Sequence, residues 1–287
     1  MVVLLFDFVG CGNSTGNHLT LGVNEAIDLA EILLHMYKKY TYDEIYLWGR
    51  SMGAVCIINM LKNTKDQIDD LIKKQEKLIR YKKLLLKANG LKKDLMDKIS
   101  FLEKDIYKMR HIQVIDKIVK GLVLDSPFTT ASKMIKTAIK LYADTNSLTT
   151  TVLMQFLKYS IKKNIGEEII DLNRPKDLVS DLNYPAVFLI GEKDELISQK
   201  SFIKMFNSYG SDNKKMRLLI DTDHSDERSQ EDIYFGVKFI KRLCAELKEQ
   251  QRIDTDEHVI KNYDGNQEED KVEVVGRIVG ALRKKVL

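Results

Sequence analysis

The chain has 287 residues, 44% of them hydrophobic, enough to bury a full core as one large domain or a domain with appendages. Its 46 basic and 42 acidic side chains leave a net charge of +4, which gives no strong electrostatic case for a nucleic-acid partner. Three widely spaced cysteines, Cys11, Cys56 and Cys244, imply neither a disulfide framework nor a zinc site, so a reducing, cytoplasmic setting without metal is expected. No run approaches the roughly 20 apolar residues that span a bilayer, and Met1 is followed by neither the basic flank nor the cleavage site of a signal peptide.

Val2-Val3-Leu4-Leu5-Phe6-Asp7-Phe8 reads as a buried strand of a parallel sheet, 1–8, leading into a glycine-rich turn, Val9 to Gly16. Gly10-x-Gly12 after a strand invites a dinucleotide reading, but the third glycine is not at the required spacing. The turn is better read as an exit loop at one edge of the sheet. A helix follows, its apolar face formed by Ala26, Ile27, Leu29, Ala30, Leu33, Leu34 and Tyr37. Tyr42 to Trp48 make the next strand. This runs into Gly49-Arg50-Ser51-Met52-Gly53 and then an apolar helix, Val55 to Leu61.

Such a strand–turn–helix lifts one serine hydroxyl above the sheet edge, and glycine is expected on both sides because a Cβ there would collide with the neighbouring backbone. The helix starting after Ser51 also points free N–H groups at any negative charge developing beside that hydroxyl. A bare Gly-x-Ser-x-Gly arises often by chance. Its context, a strand before and a helix after, favours a nucleophile over a serine in a plain turn.

From Lys62 to Lys117 the composition shifts to Lys, Asp, Glu, Leu and Ile. Ile68, Leu71, Gln75, Leu78, Lys82 and Leu85 recur at alternating steps of three and four, as do Leu95, Ile99, Leu102, Ile106 and Met109 after Asn89-Gly90. The pattern predicts an antiparallel helical hairpin inserted over 62–117, either a solvated insertion or an arm, 65–110, that binds a protein partner. Ile118 to Phe128 then form a buried strand ended by Pro127. Helices over 131–144 and 148–164 occupy the place of a substrate-covering cap, 129–175, or pack on the sheet as a crossover. Tyr184 to Gly191 form another strand, Ser198 to Tyr209 a helix, Lys215 to Ile220 the last strand and Asp232 to Leu247 the closing helix. Strands alternating with helices in this way predict a mostly parallel sheet with helices on both faces, a core of 1–247. The remainder, 248–287, reads as a polar, loose tail ending in an amphipathic helix, Val272 to Val286. With Arg283-Lys284-Lys285 at its end that helix could touch an acidic membrane, docking on the protein being the simpler expectation.

Acyl transfer at a serine needs a base to take the hydroxyl proton and a carboxylate to orient that base. Ser51, Asp194 and His224 each follow the carboxyl end of an expected strand. The other histidines, His18, His35, His111 and His258, lie in a loop, a helix, the insertion and the tail, and read as surface residues. The motifs together resemble the α/β-hydrolase superfamily, in its serine peptidase- and esterase-like subgroup. Phe6-Asp7-Phe8-x-Gly10-x-Gly12 resembles the turn after the fourth strand, Gly49 to Gly53 the nucleophile elbow, and Leu124-Asp125-Ser126-Pro127-Phe128 the strand after it. Gly191-Glu192-Lys193-Asp194 resembles the acid-bearing loop and His224-Ser225-Asp226-Glu227-Arg228 the histidine loop.

That resemblance implies a hydrolase of ester, thioester or amide bonds, with Ser51 as nucleophile, His224 as base and Asp194 as orienting acid, Asp223 and Asp226 being fallback acids. The Met52 N–H would be one oxyanion donor, and no organic cofactor or metal is implied. The substrate would be a small or acylated molecule, with a carboxylic ester favoured. The resemblance also implies three strands before the first one here, the loop after the third supplying a second oxyanion N–H. The chain is therefore expected to be an amino-terminally incomplete and catalytically weak version of a longer hydrolase. Its sheet should carry a gap of roughly 9–10 Å, about two strand spacings, or pair directly across it. The competing expectation is an inactive hydrolase core acting as a scaffold that presents its hairpin to a partner.

Overall fold

A computed structural model describes residues 2–261 apart from 41, 43, 88–91, 110, 144 and 166–168. Met1–Ile240 form one compact unit and Lys241–Leu287 a second. Of the second, only the continuation of the last helix to Lys261 is described, so the amphipathic helix expected at Val272 to Val286 lies outside the described residues.

Among the described residues four strands alternate with helices. They are β1 (Ile45–Arg50), β2 (Val119–Asp125), β3 (Ala186–Gly191) and β4 (Lys214–Leu219), all parallel, and they lie side by side in chain order. Parallel neighbours bring every carboxyl end to the same edge, so the loops after β1, β2, β3 and β4 share one rim. The two inner strands carry the apolar runs a parallel sheet buries on both faces, and β3 is buried at all six positions. On one face Leu47, Leu122, Leu124, Ala186 and Phe188 join the main core. On the other, Gly236 lies so close to Trp48 that an added Cβ would stand 2.9 Å from its ring.

Helix α1 (Glu25–Lys39) buries Ala26, Leu29, Leu33 and Leu34, and it packs against α2 (Met52–Lys87). Ile27 and Tyr37, expected on the same face, are exposed, because the buried stripe is narrower than the run of apolar residues. The buried Glu25 carboxylate accepts bonds from Thr20 N (2.7 Å), Thr20 Oγ1 (2.6 Å) and Gly22 N (2.8 Å), so no buried charge goes unsatisfied at the helix start.

The elbow helix does not stop at Leu61. It runs on as α2 for 36 residues, because Lys62-Asn63-Thr64 contains neither glycine nor proline to end it. Helix α3 (Lys92–Met109) packs back along α2, with Ile68 and Leu71 buried on one arm and Ile99, Leu102 and Ile106 on the other. Lys74–Asp105 (2.6 Å) and Lys82–Glu103 (2.7 Å) tie the arms at their rims. The turn assigned to Asn89-Gly90 lies outside the described residues. Helix α4 (Ile112–Ile118), placed in the insertion from sequence, packs on α1 and α2 and buries Ile112, Ile115 and Ile118. Its apolar i, i+3, i+6 spacing serves the core.

After β2 come α5 (Ala131–Ala143), α6 (Ser147–Ile165) and α7 (Ile169–Leu172), and α5, α6 and α7 pack on one another. Two short 3-10 turns lead to β3, and α8 (Gln199–Ser208) covers that strand, where Phe202, Phe206 and Tyr209 meet Phe188 edge to face. Helix α9 (Gln230–Lys261) continues through residues 248–261, where the polar composition predicts a loose tail. That stretch has no glycine or proline, and lack of an apolar face does not by itself end a helix.

One expectation fails outright. Residues 2–8 form no strand, and Val2, Val3, Leu4, Leu5 and Phe6 are exposed. Neither direct pairing with β1 nor a buried strand is formed by residues 2–8, because a buried-type strand needs ladder partners and, among the described residues, β1 pairs only with β2.

Candidate active site

The elbow is a tight reversal between β1 and α2. Ser51 adopts φ +49°, a left-handed conformation that costs an L-residue roughly 1–2 kcal/mol. Its N–H donates to Asp125 O at 2.7 Å, which ties the strained residue to the end of β2. The first helical bond of α2 runs from Val55 N to Ser51 O (3.1 Å), so the N–H groups of Met52, Gly53 and Ala54 stand ahead of the ladder. The two glycines are not equivalent. A Cβ on Gly49 would drive into the backbone of Gly53 and Ala54, whereas one on Gly53 would meet nothing within 4 Å. The sequence expectation of a collision at both positions therefore holds for Gly49 alone.

Asp194 follows β3 and is buried. Its Oδ1 accepts Ile197 N (2.7 Å), which fixes the carboxylate and leaves Oδ2 facing His224. His224 follows β4, with Nδ1 2.8 Å from Asp194 Oδ2 and Nε2 3.1 Å from Ser51 Oγ. With Nδ1–H donating to the carboxylate, Nε2 is left to accept the serine proton. Asp223 and Asp226 do other work. Asp226 Oδ2 accepts Asp223 N (2.7 Å) and Asp223 Oδ1 accepts His224 N (2.6 Å), so both shape the loop that carries the imidazole.

Three residues that frame the site were missed from sequence. Arg50, inside the elbow, donates to the backbone oxygens of His224 and, at 2.9 Å, of Asp226. Arg228 forms a two-pronged pair with Asp125, Nε to Oδ2 at 2.8 Å and Nη2 to Oδ1 at 2.9 Å. It also donates through Nη1 to the carbonyls of Asp223 (3.0 Å) and Asp226 (3.1 Å). Two arginines thus pin the histidine loop to the ends of β1 and β2. The available signal was Asp125 itself, a carboxylate ending an apolar strand, since a buried carboxylate demands a cation.

Cys56 sits in the second turn of α2 but is no rival nucleophile. Burial pushes its thiol well above the ordinary range, and the Glu25 and Asp28 carboxylates push it further. His18, His35 and His111 are exposed. Among the described residues no three His, Cys, Asp or Glu side chains gather as a metal site would require.

No family model matches the sequence, and no curated protein matches it. Among solved structures, an esterase from Pyrococcus furiosus superposes with a TM-score of 0.52 at 17% identity, over 83% of this chain and 69% of that one. The fold is that of the α/β-hydrolases. A monoacylglycerol lipase from Paleococcus ferrophilus aligns over 84% of this chain and 82% of its own, at 13% identity and a TM-score of 0.43. Within an α/β-hydrolase frame, Ser51, Asp194 and His224 come from the loops after the first, third and fourth strands described here, and all three meet at the carboxyl rim.

Proposed function

We propose that the protein is a serine hydrolase that cleaves carboxylic esters, with thioesters and amides as chemically allied substrates. The observation that carries the proposal is the unbroken relay from Ser51 Oγ to His224 Nε2 (3.1 Å) and from His224 Nδ1 to Asp194 Oδ2 (2.8 Å). In this reading Ser51 Oγ attacks the acyl carbon while its proton passes to His224 Nε2. The imidazolium is stabilised by Asp194, which stays ionised. Collapse of the tetrahedral adduct breaks the bond to the leaving alkoxide, which takes the proton back from Nε2. Water then repeats the sequence on the acyl-enzyme, freeing the acid and restoring Ser51. The developing oxyanion is met by the Met52 N–H, with Gly53 and Ala54 N–H groups and the dipole of α2 behind it. An esterase of like fold supports the choice of an ester over an amide.

A fluorophosphonate probe tests the proposal. The wild type should be labelled at Ser51, as read by peptide mass spectrometry, and turnover of p-nitrophenyl esters should fall by at least roughly 10⁴ in Ser51→Ala or Asp194→Asn. A folded protein that neither takes the probe nor turns over any ester or thioester would overturn it.

A further inference from the structure

Residues 126–165 hold six lysines and a single acid, Asp144, which leaves 40 basic against 41 acidic side chains in the rest of the chain. Helices α5 and α6, which lie within this segment, contain no acidic residue. Lys133, Lys136 and Lys140 recur at i, i+3 and i+7, on one exposed face of α5.

Helix α6 is apolar on two opposite faces. One face holds Thr150 and Met154, both buried, with Leu157 and Ile161 beside them, where α6 packs on α5 and α7. The other holds Leu148, Val152, Phe156 and Tyr159, at steps of four, four and three, and these remain 77%, 62%, 66% and 66% exposed. Lys163 falls on the same stripe and is exposed, as is Tyr142 at the end of α5. A soluble surface rarely leaves four large apolar side chains in line, and such patches mark contact sites. An apolar ridge on a helix that carries three lysines and no acid, packed against a second helix that likewise carries lysines and no acid, is the pattern of a helix that lies in a membrane interface, its ridge among acyl chains and its lysines at anionic headgroups.

We propose that α6, with the lysine face of α5, docks the protein on an anionic phospholipid bilayer. No helix among the described residues is long and apolar enough to cross a membrane, so the contact is peripheral. Lys133 and Lys136 also line a recess of about 370 Å³ with Arg174, Lys176 and Asp171, into which a headgroup phosphate would bring its charge against the two lysines of α5. Arg174 is paired there with Asp177 (2.5 Å), and Asp171, also in the lining, with Lys158 (2.6 Å). Lys176 also stands 3.8 Å from Asp177, so Arg174 and Lys176 share one carboxylate.

The proposal does not depend on catalysis, so Ser51→Ala should bind as the wild type does. Co-sedimentation of the full chain with vesicles tests it, comparing phosphatidylcholine alone with phosphatidylcholine containing phosphatidylserine. The wild type should pellet with the anionic vesicles and be released by salt. Val152→Asp/Phe156→Asp and Lys136→Glu/Lys140→Glu should each lower partitioning by at least about tenfold while keeping the wild-type circular dichroism and Tm. These positions are exposed, so loss of fold is not the expected cause of lost binding. Wild-type protein that stays in the supernatant, or variants that pellet like the wild type, would overturn the proposal. So would loss of binding in Arg283→Glu/Lys284→Glu/Lys285→Glu with binding kept in the α6 variant. A lipid-free dimer that Phe156→Asp dissociates would overturn it as well, by assigning the ridge to a second copy.

Discussion

Arg228 and Asp125 are 6% and 1% exposed, and they meet through two parallel hydrogen bonds. Such a pair is a weak net stabiliser, because desolvation offsets most of its attraction, yet removing one partner strands a buried charge. Arg228→Met should therefore cost about 3–5 kcal/mol in urea unfolding, and Asp125→Leu in the same background should recover much of that loss. Stability and turnover should then part company. The double variant regains stability, but the carbonyls of Asp223 and Asp226 still lack their Arg228 donor, so kcat should stay depressed while KM moves little. Equal recovery of kcat would mean that Arg228 only neutralises Asp125. At this scale the juxtaposition of Ser51, Asp194 and His224 was legible, since each follows a strand and His224 stands within hydrogen-bond distance of the other two. The pinning groups were not, because an arginine near a motif looks like any surface arginine until the carboxylate it faces is known to be buried. The two elbow glycines make the same point. Their symmetry in sequence hides that Gly49 faces backbone and Gly53 faces open space.

Helix α2 links two parts that sequence composition separated. Its first turns lie in the main core, with Val55, Cys56, Ile58 and Leu61 buried, and its later turns form one arm of the hairpin. The heptad-like recurrence of Ile68, Leu71, Ile99, Leu102 and Ile106 was legible because a seam between two helices needs that period. The continuity was not, because composition changes at Lys62 whereas a helix ends only where the backbone is broken. Leu71 on the seam is fully buried, Leu78 and Leu85 further along the same stripe are half-buried, and Leu86, beside the stripe, is exposed. Burial along the arm thus falls away from the core. Leu71→Ala should lower unfolding free energy by about 2–5 kcal/mol, whereas Leu86→Ala should change it by less than about 0.5. Ester turnover at a temperature where both variants are folded should be unchanged in each, since neither residue touches the rim. A fall in turnover in Leu86→Ala would instead tie the distal hairpin to catalysis and favour a working arm over a solvated insertion.

Across the whole sheet, chain-ordered parallel strands made the common rim legible before any contact was known, since each crossover returns the chain to the same end. The behaviour of residues 2–8 was not legible, because an apolar run announces a wish for burial and says nothing about whether a partner strand is there to receive it. Val2, Val3 and Leu5 are 85%, 67% and 87% exposed, and the outward edge of β1, Ile45 to Arg50, carries one charged side chain, Arg50, which is turned to the carbonyls of the histidine loop. Native edges are usually guarded by charge, proline or a bulge. An exposed apolar run and an edge with a single charge at its end, within one compact unit, form a pair of sticky elements that can satisfy each other between molecules. Sedimentation velocity on the chain should therefore show self-association that grows with protein concentration, and Val3→Lys/Leu5→Lys should shift the boundary toward monomer without altering Tm. This response differs from that of the α6 ridge, whose Phe156→Asp substitution should leave the concentration dependence unchanged. If Val3→Lys/Leu5→Lys sediments like the wild type, the β1 edge is protected in solution and residues 2–6 are not what holds the molecules together.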